Sequence, residues 1–387
     1  MANCGPGPLS RRRFLCGVGA AVGGAVAIGA TAGCGSVAQV GPSLRIANWP
    51  DYIDGGDEGT VKRFQRRTGI VTSYSEEISD NERYFSEMAP QLSAGQRIGP
   101  DLVVLTGWMA GRMIGLGWAE PLPLASIPNA VNLSPELESP PWDPLGRFTL
   151  PWQSGMVVIA YNAEATGFEL AGVDDLFDER LAGRVGMLKD YRDTLGILGI
   201  SAGIDLSNPR VSAFDSVLAR LEDATRSGHI RTYTGNKNVE RLAFGELDAC
   251  LARSGDVAQL AADRPELKVA MPDAGTAAIS DVMVVPKGSP NIDSAAQWMD
   301  FVYNPSNAAR VTESVRCISP VSGVADRLRA MGPDAAKVAD NPMVVPQVGS
   351  RSGLQTFGAM PNAEEVRFEE RFAAVVALAE GSSRAGG

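Results

Sequence analysis

Trp49, Asp51 and Tyr52 lie within four residues of one another in the segment Leu44 to Asp54, which reads Leu-Arg-Ile-Ala-Asn-Trp-Pro-Asp-Tyr-Ile-Asp. Two π faces beside a carboxylate suit a small organic cation, which they hold by cation–π attraction together with charge. The same rings also suit plain packing at a core edge. Catalytic combinations are scarce. His229 is the only histidine, which nearly excludes Ser–His nucleophiles and His-rich metal sites, and it is expected at a solvated helix end. Gly17-Val-Gly19 is the nearest thing to a dinucleotide loop, there is no P-loop, and no adjacent tyrosine pair exists to hold ferric iron. No cofactor and no metal are expected.

An element must present those rings. Leu44 and Ile46 alternate with Arg45 and Ala47, a strand pattern that Pro50 ends, because proline donates nothing to a ladder. In open α/β sheets, ligands bind off the carboxyl ends of strands, where this aromatic loop falls. Periodicity predicts further strands over 70–74, 101–105, 156–161, 184–188, 248–252, 267–271 and 281–286. It predicts helices over 59–67, 81–94, 109–116, 174–179, 193–202, 211–225, 238–245, 295–303, 305–314 and 364–380. Alternating strand and helix argues for βα units. Residues 121–151 are Pro-rich and irregular, a surface loop.

The chain has 387 residues, enough for two domains, and its 44% hydrophobic and 21% charged residues are those of a globular protein. Three arginines and no acids precede residue 34, so 32 basic and 45 acidic residues remain and the rest carries −13. That charge disfavours nucleic acid and anionic lipid and is compatible with a cationic ligand.

Ser10-Arg11-Arg12-Arg13-Phe14-Leu15 resembles the twin-arginine export signal, and the Gly/Ala-rich run after it is too weakly apolar to span a membrane. The run ends Thr31-Ala32-Gly33-Cys34, similar to a bacterial lipobox except that Thr31 stands where an aliphatic is usual. Residues 1–33 are therefore expected to leave as a signal peptide, with Cys34 lipidated and 34–43 a tether to the outer face of the membrane. Of the remaining cysteines, Cys250 and Cys317 either pair in an oxidising compartment or stay as buried thiols.

Taken in order, Asn-Trp-Pro-Asp-Tyr-Ile at 48–53, Asp-Leu-Val-Val-Leu at 101–105 and Leu-Pro-Trp-Gln-Ser-Gly at 150–155 resemble the spermidine/putrescine-binding family of bacterial ABC importers. Tyr161-Asn162, Gly-Glu-Leu at 245–247 and Asp-Val-Met-Val-Val-Pro at 281–286 fit the same pattern. The resemblance implies an α/β fold: a two-lobed periplasmic-binding-protein clamshell of type II, with a mixed, mostly parallel sheet in each lobe. It implies lobe 1 over 44–155 with 282–322 returning to it, lobe 2 over 156–281 with C-terminal helices over 323–380, and a flexible tail at 381–387. Crossovers near 154–157 and 280–284 would be the hinges.

The family's aromatic wall matches Trp49 and Tyr52, with Asp51 as the acid between them. A hydroxyl and a ring after the third strand match Thr106 and Trp108, an acidic pair matches Asp190 and Asp193, and a later acid matches Asp281. Carboxylates three apart share one side of a helix's first turn and can hold one ammonium, or they can simply cap the helix. Two family tryptophans are absent: Arg253 and Ile279 stand in their places, and the family's distal Gln has no counterpart. The implied function is an exported, lipid-anchored, monomeric receptor that delivers a polyamine to an ABC permease and is no enzyme. Because Arg253 repels a cation unless an acid neutralises it, a carboxylate-bearing solute clamped by Arg253 stands as the alternative. A lipid-anchored hydrolase is a remote third reading.

Overall fold

Three parallel βα units begin the fold. The computed structural model describes residues 41–235, 237–261, 264, 266–346 and 353–385; the expected signal peptide, Cys34 and most of the expected tether lie outside them. Strand β1 (Ser43–Asn48) pairs in parallel with β2 (Val71–Glu76) and β3 (Leu102–Thr106), through helices α1 (Thr60–Thr68) and α2 (Asn81–Ser93). β3 is buried along its whole length, as a continuous apolar run in a central parallel strand must be. Asp80 caps α2 by accepting the Arg83 amide, and Tyr84, Met88 and Leu92 form its buried stripe. Helix α3 (Gly107–Gly115) follows β3 without a gap.

The long strand β4 (Thr149–Asn162) then crosses the molecule. Its start pairs with the end of β9 (Thr276–Val284), as Thr149 with Val284, while Val157–Tyr161 pairs with β7 (Ala249–Arg253). At the crossing Ser154 lies opposite Ser280, their hydroxyl oxygens 3.2 Å apart. Between β4 and β9 come α4 (Ala163–Thr166), β5 (Val185–Leu188), α5 (Tyr191–Ser201), α6 (Asp215–Arg226), β6 (Ile230–Thr234), α7 (Lys237–Ala243), β7, α8 (Ser254–Leu260) and β8 (Leu267–Ala270). After β9 follow α9 (Ile292–Val302), α10 (Pro305–Val315), α11 (Val324–Met331), α12 (Pro333–Ala339), β10 (Leu354–Gln355) and α13 (Asn362–Ala385). The strand order is β2-β1-β3-β9-β4-β7-β5-β6, with β8 on β4 and β10 on β9, so two mixed sheets are joined by the two crossing strands.

Two separate cores flank that joint. Phe64, Trp152, Trp298 and Tyr303 centre the first, and Leu195, Phe214, Phe368 and Phe372 the second. Smaller clusters cover the opposite face of each sheet. This is the two-lobed α/β clamshell that the sequence resemblance implies.

Several expectations are corrected. Helices α11 and α12 pack into the first core through Leu328, Val338 and Ala339, so only α13, of the expected C-terminal helices, belongs with the second. β6 is a short edge strand in a stretch for which no element is expected, and it forms because β5 offers it a parallel partner. His229 precedes β6 rather than ending a helix; its ring stacks on Phe177 and its Nε2 meets the Leu176 carbonyl at 2.8 Å. β4 begins at Thr149, inside the expected surface loop, and β9 at Thr276, because each completes the other's ladder. The α13 backbone runs to Ala385, through much of the expected tail. Cys250 and Cys317 are both buried and free.

Candidate ligand-binding site

Asp281 sits in the middle of β9, opposite Thr106 at the end of β3. The Tyr52 hydroxyl donates to its Oδ2 at 2.9 Å and the Thr106 hydroxyl to its Oδ1 at 2.7 Å. Thr106 Oγ1 in turn accepts from Asn81 Nδ2 at 2.9 Å, so the loop after β1, the end of β3 and the start of α2 all converge on one carboxylate. Burial raises the Asp281 pKa, while Arg253 and the two hydroxyl donors oppose the rise. Burial first, and then Asp281, push the Tyr52 phenol well above its usual range, so it stays a donor.

Arg253, the last residue of β7, answers from the second lobe. Its Nε and Nη2 donate to Asp193 Oδ2 at 3.2 and 3.0 Å. Asp193 is 4% exposed, and burial, working against Arg253, lifts its carboxyl to about 6. Burial likewise lifts Asp256 to about 6, and its Oδ2 is buried without a partner. Burial works against the Arg253 charge, but Asp193, Asp281, Asp190 and Asp256 together outweigh it and raise the guanidinium pKa. Asp190 caps α5, accepting the Arg192 amide at 2.9 Å.

Trp108, at the start of α3, faces Arg192 of α5: the guanidinium carbon lies 3.7 Å from the ring centroid. Arg192 also bonds Glu365 of α13. Trp142 comes down from the Pro-rich loop onto α3, which can take it only because positions 107 and 111 lack side chains; a Cβ at Gly107 would lie 2.5 Å from the indole. Thr106, Trp108, Trp142, Arg192, Asp193 and Ile279 line a cavity of about 40 Å³, room for water at least. The indole nitrogens of Trp49, Trp108 and Trp142 are all buried without an acceptor. The cavity is small and bordered by one carboxylate, Asp193, one guanidinium, Arg192, and the rings of Trp108 and Trp142, whose indole donors are left over. Carboxylate, guanidinium and aromatic groups so placed suit a polar solute.

The family model of bacterial extracellular solute-binding proteins matches residues 59–346. The chain belongs to that family. This solute-binding protein is 27% identical to the putrescine-binding periplasmic protein PotF of Escherichia coli (strain K12), over 86% of this chain and 91% of that protein. It is 24% identical to a putrescine/cadaverine-binding protein of Pseudomonas aeruginosa, over 73% of this chain and 80% of that protein. A crystal structure of the spermidine/putrescine ABC transporter substrate-binding protein PotD from Streptococcus pneumoniae shares its fold, with a TM-score of 0.74 and 22% identity over 87% of this chain and 99% of that one. Membership of an extracellular, solute-binding family places this protein outside the cytoplasmic membrane and gives it a binding role.

In this solute-binding protein, Tyr52, Thr106 and Asp281 come together by direct hydrogen bonds, and Asp193 joins Arg253. Thr106, Trp108 and Asp193 line one cavity. Asp51 does not join them. It is exposed, with φ at +55°, and its amide is spent on Glu76. The turn that brings Tyr52 inward takes Asp51 through the left-handed region. Trp49 packs half-buried against the apolar clusters on both faces of the first sheet. Asp190 serves as a cap, as the helix-capping reading has it. Sequence reasoning passed over Trp142, Arg192, Asp256 and Glu365. Arg192 had one available signal: it lies between the two acids at 190 and 193. Glu365 and Trp142 had none, since each arrives from a distant segment.

Proposed function

We propose that this chain is the solute receptor of an ABC importer and that its cleft takes an aliphatic amine of the polyamine type, putrescine- or spermidine-like. The observation that carries the reading is that Tyr52 and Thr106 hold Asp281 from one lobe and Arg253 holds Asp193 in the other, while Thr106, Trp108 and Asp193 line one cavity. The acids outnumber the one guanidinium they surround, so an ammonium finds net negative charge there. The solute bridges both lobes, and its contacts to each supply the differential affinity that favours closure. Closure excludes water and strengthens the ion contacts. The names of the relatives support the amine class. Acylated Cys34 tethers a monomer to the outer face of the membrane, beside its permease, and the chain performs no catalysis. Lobe 1 comprises 44–155 and roughly 282–346, and lobe 2 comprises 156–281 with α13.

Calorimetric titration with putrescine, spermidine and acidic amino acids tests this. Amine binding that weakens with salt is expected, and no amine binding up to millimolar concentration refutes it. The alternative, a carboxylate clamped by Arg253, is weakened because Asp193 already holds two of that fork's donors. Loss of binding to an acidic amino acid in Arg253→Ala would restore it.

A further inference from the structure

The Arg192 guanidinium lies between two rings. Its carbon is 3.7 Å from the Trp108 centroid and 4.3 Å from the Tyr191 centroid. Trp108 packs with the first lobe and Tyr191 with the second, where Tyr191 stacks on Phe368 at 5.4 Å and 5°. A cation clasped by aromatic faces from both lobes, at the wall of the cavity that Asp193 also lines, is how an ammonium solute would sit there. Here the chain supplies the cation itself. Arg192 is only 8% exposed, and Glu365 of α13 neutralises it, so the guanidinium adds no net charge to the cleft.

We propose that the Trp108–Tyr191 cage is the subsite for one ammonium of the solute, and that Arg192 is a tethered placeholder which the solute displaces on binding. Arg192 thereby sets affinity: a free ammonium gains the cage only by outcompeting a group held at high local concentration. Glu365 is the positioning residue, since it holds the guanidinium on the rings and can keep its charge paired when it swings off. The inference rests on the amine reading given above and adds to it a residue that lowers affinity by design of the cleft.

The test is titration of putrescine into four forms of the full chain: wild type, the Arg192→Gln/Glu365→Gln double variant, Trp108→Leu, and all three changes together. The double variant removes one positive and one negative charge, so the net charge of the cleft is unchanged and no buried carboxylate is left unpaired. It should bind putrescine roughly three- to tenfold tighter, the size expected when one cation–π competitor is removed. The gain should vanish when Trp108 is also Leu, because only the vacated cage provides it. Unchanged or weaker binding by the double variant while wild type binds would overturn the placeholder and leave the amine reading intact. A gain that persists without Trp108 would overturn it too, showing that the rings are not the subsite. Failure of every form to bind at millimolar putrescine would sink the amine reading and the placeholder with it.

Discussion

Arg253→Met tests how charge is balanced in the cleft, because the expected loss depends on pH in a way that lost packing does not. Asp193 has an ordinary pKa of 3.8 and is held at about 6 in the folded chain even with Arg253 beside it. A carboxyl whose folded pKa is raised binds its proton more tightly when folded, so stability falls as pH climbs from about 4 to 6, and the whole penalty is present above that. At 1.36 kcal/mol for each pKa unit, that penalty is about 3 kcal/mol near pH 7.5 in the wild type. Without the guanidinium the pKa rises further, and holding Asp193 neutral near pH 7.5 costs about 5 kcal/mol, an added loss of about 2. Asp256, also held at about 6 and also facing Arg253, brings the total to roughly 2–4 kcal/mol. Relief of the buried guanidinium's own desolvation offsets part of this equally at every pH. With an unfolding entropy of about 2 cal/mol/K per residue, the midpoint should fall by about 3–6 °C near pH 7.5. Near pH 5 wild type and variant both carry a protonated Asp193, and the electrostatic loss disappears. Scanning calorimetry or urea unfolding at the two pH values reads this directly. Equal losses at both would refute the argument and leave only a packing defect.

Three further outcomes are expected. Amine affinity should fall as pH drops through about 6, where Asp193 and Asp256 take up protons, and should be flat from 7 to 8.5; a profile without that fall would remove these acids from the site. Tyr52→Phe deprives Asp281 of one of its two hydroxyl donors, which raises that carboxyl further and should weaken amine binding near neutral pH by about tenfold, with little change in melting; unaltered binding would separate Asp281 from recognition. Gly107→Ala places a Cβ 2.5 Å from Trp142, so the indole must move. A stability loss of about 1–3 kcal/mol and altered tryptophan fluorescence should follow, and a neutral variant would show that the Trp142 contact is soft.

Local chemistry made much of the molecule legible. β1, β3, β7 and the amphipathic helices announced themselves because each buries an apolar run or stripe that has the period of its own element. The Pro50 stop placed Trp49 and Tyr52 at a strand end, and Asp190 read correctly as a candidate cap because capping involves only neighbouring amides. The elements that escaped notice, β6 and the early part of β9, are strands only by virtue of partners far away in sequence.

The site divides along the same line. Sequence alone determined an acidic chain beyond residue 33, a strand-end aromatic pair, a single histidine, and the residue types at 106, 108, 190, 193, 253 and 281. Only the tertiary structure decided that Asp51 turns away, that Asp193 carries Arg253, that Glu365 and Trp142 reach the cleft from loops and a helix far along the chain, and that Arg192 already lies on Trp108. The reason is physical. Periodicity and capping act over a few residues, whereas a buried charge is settled by whichever opposite charge the fold brings within about 4 Å, and that proximity is made by chain crossings no local pattern records.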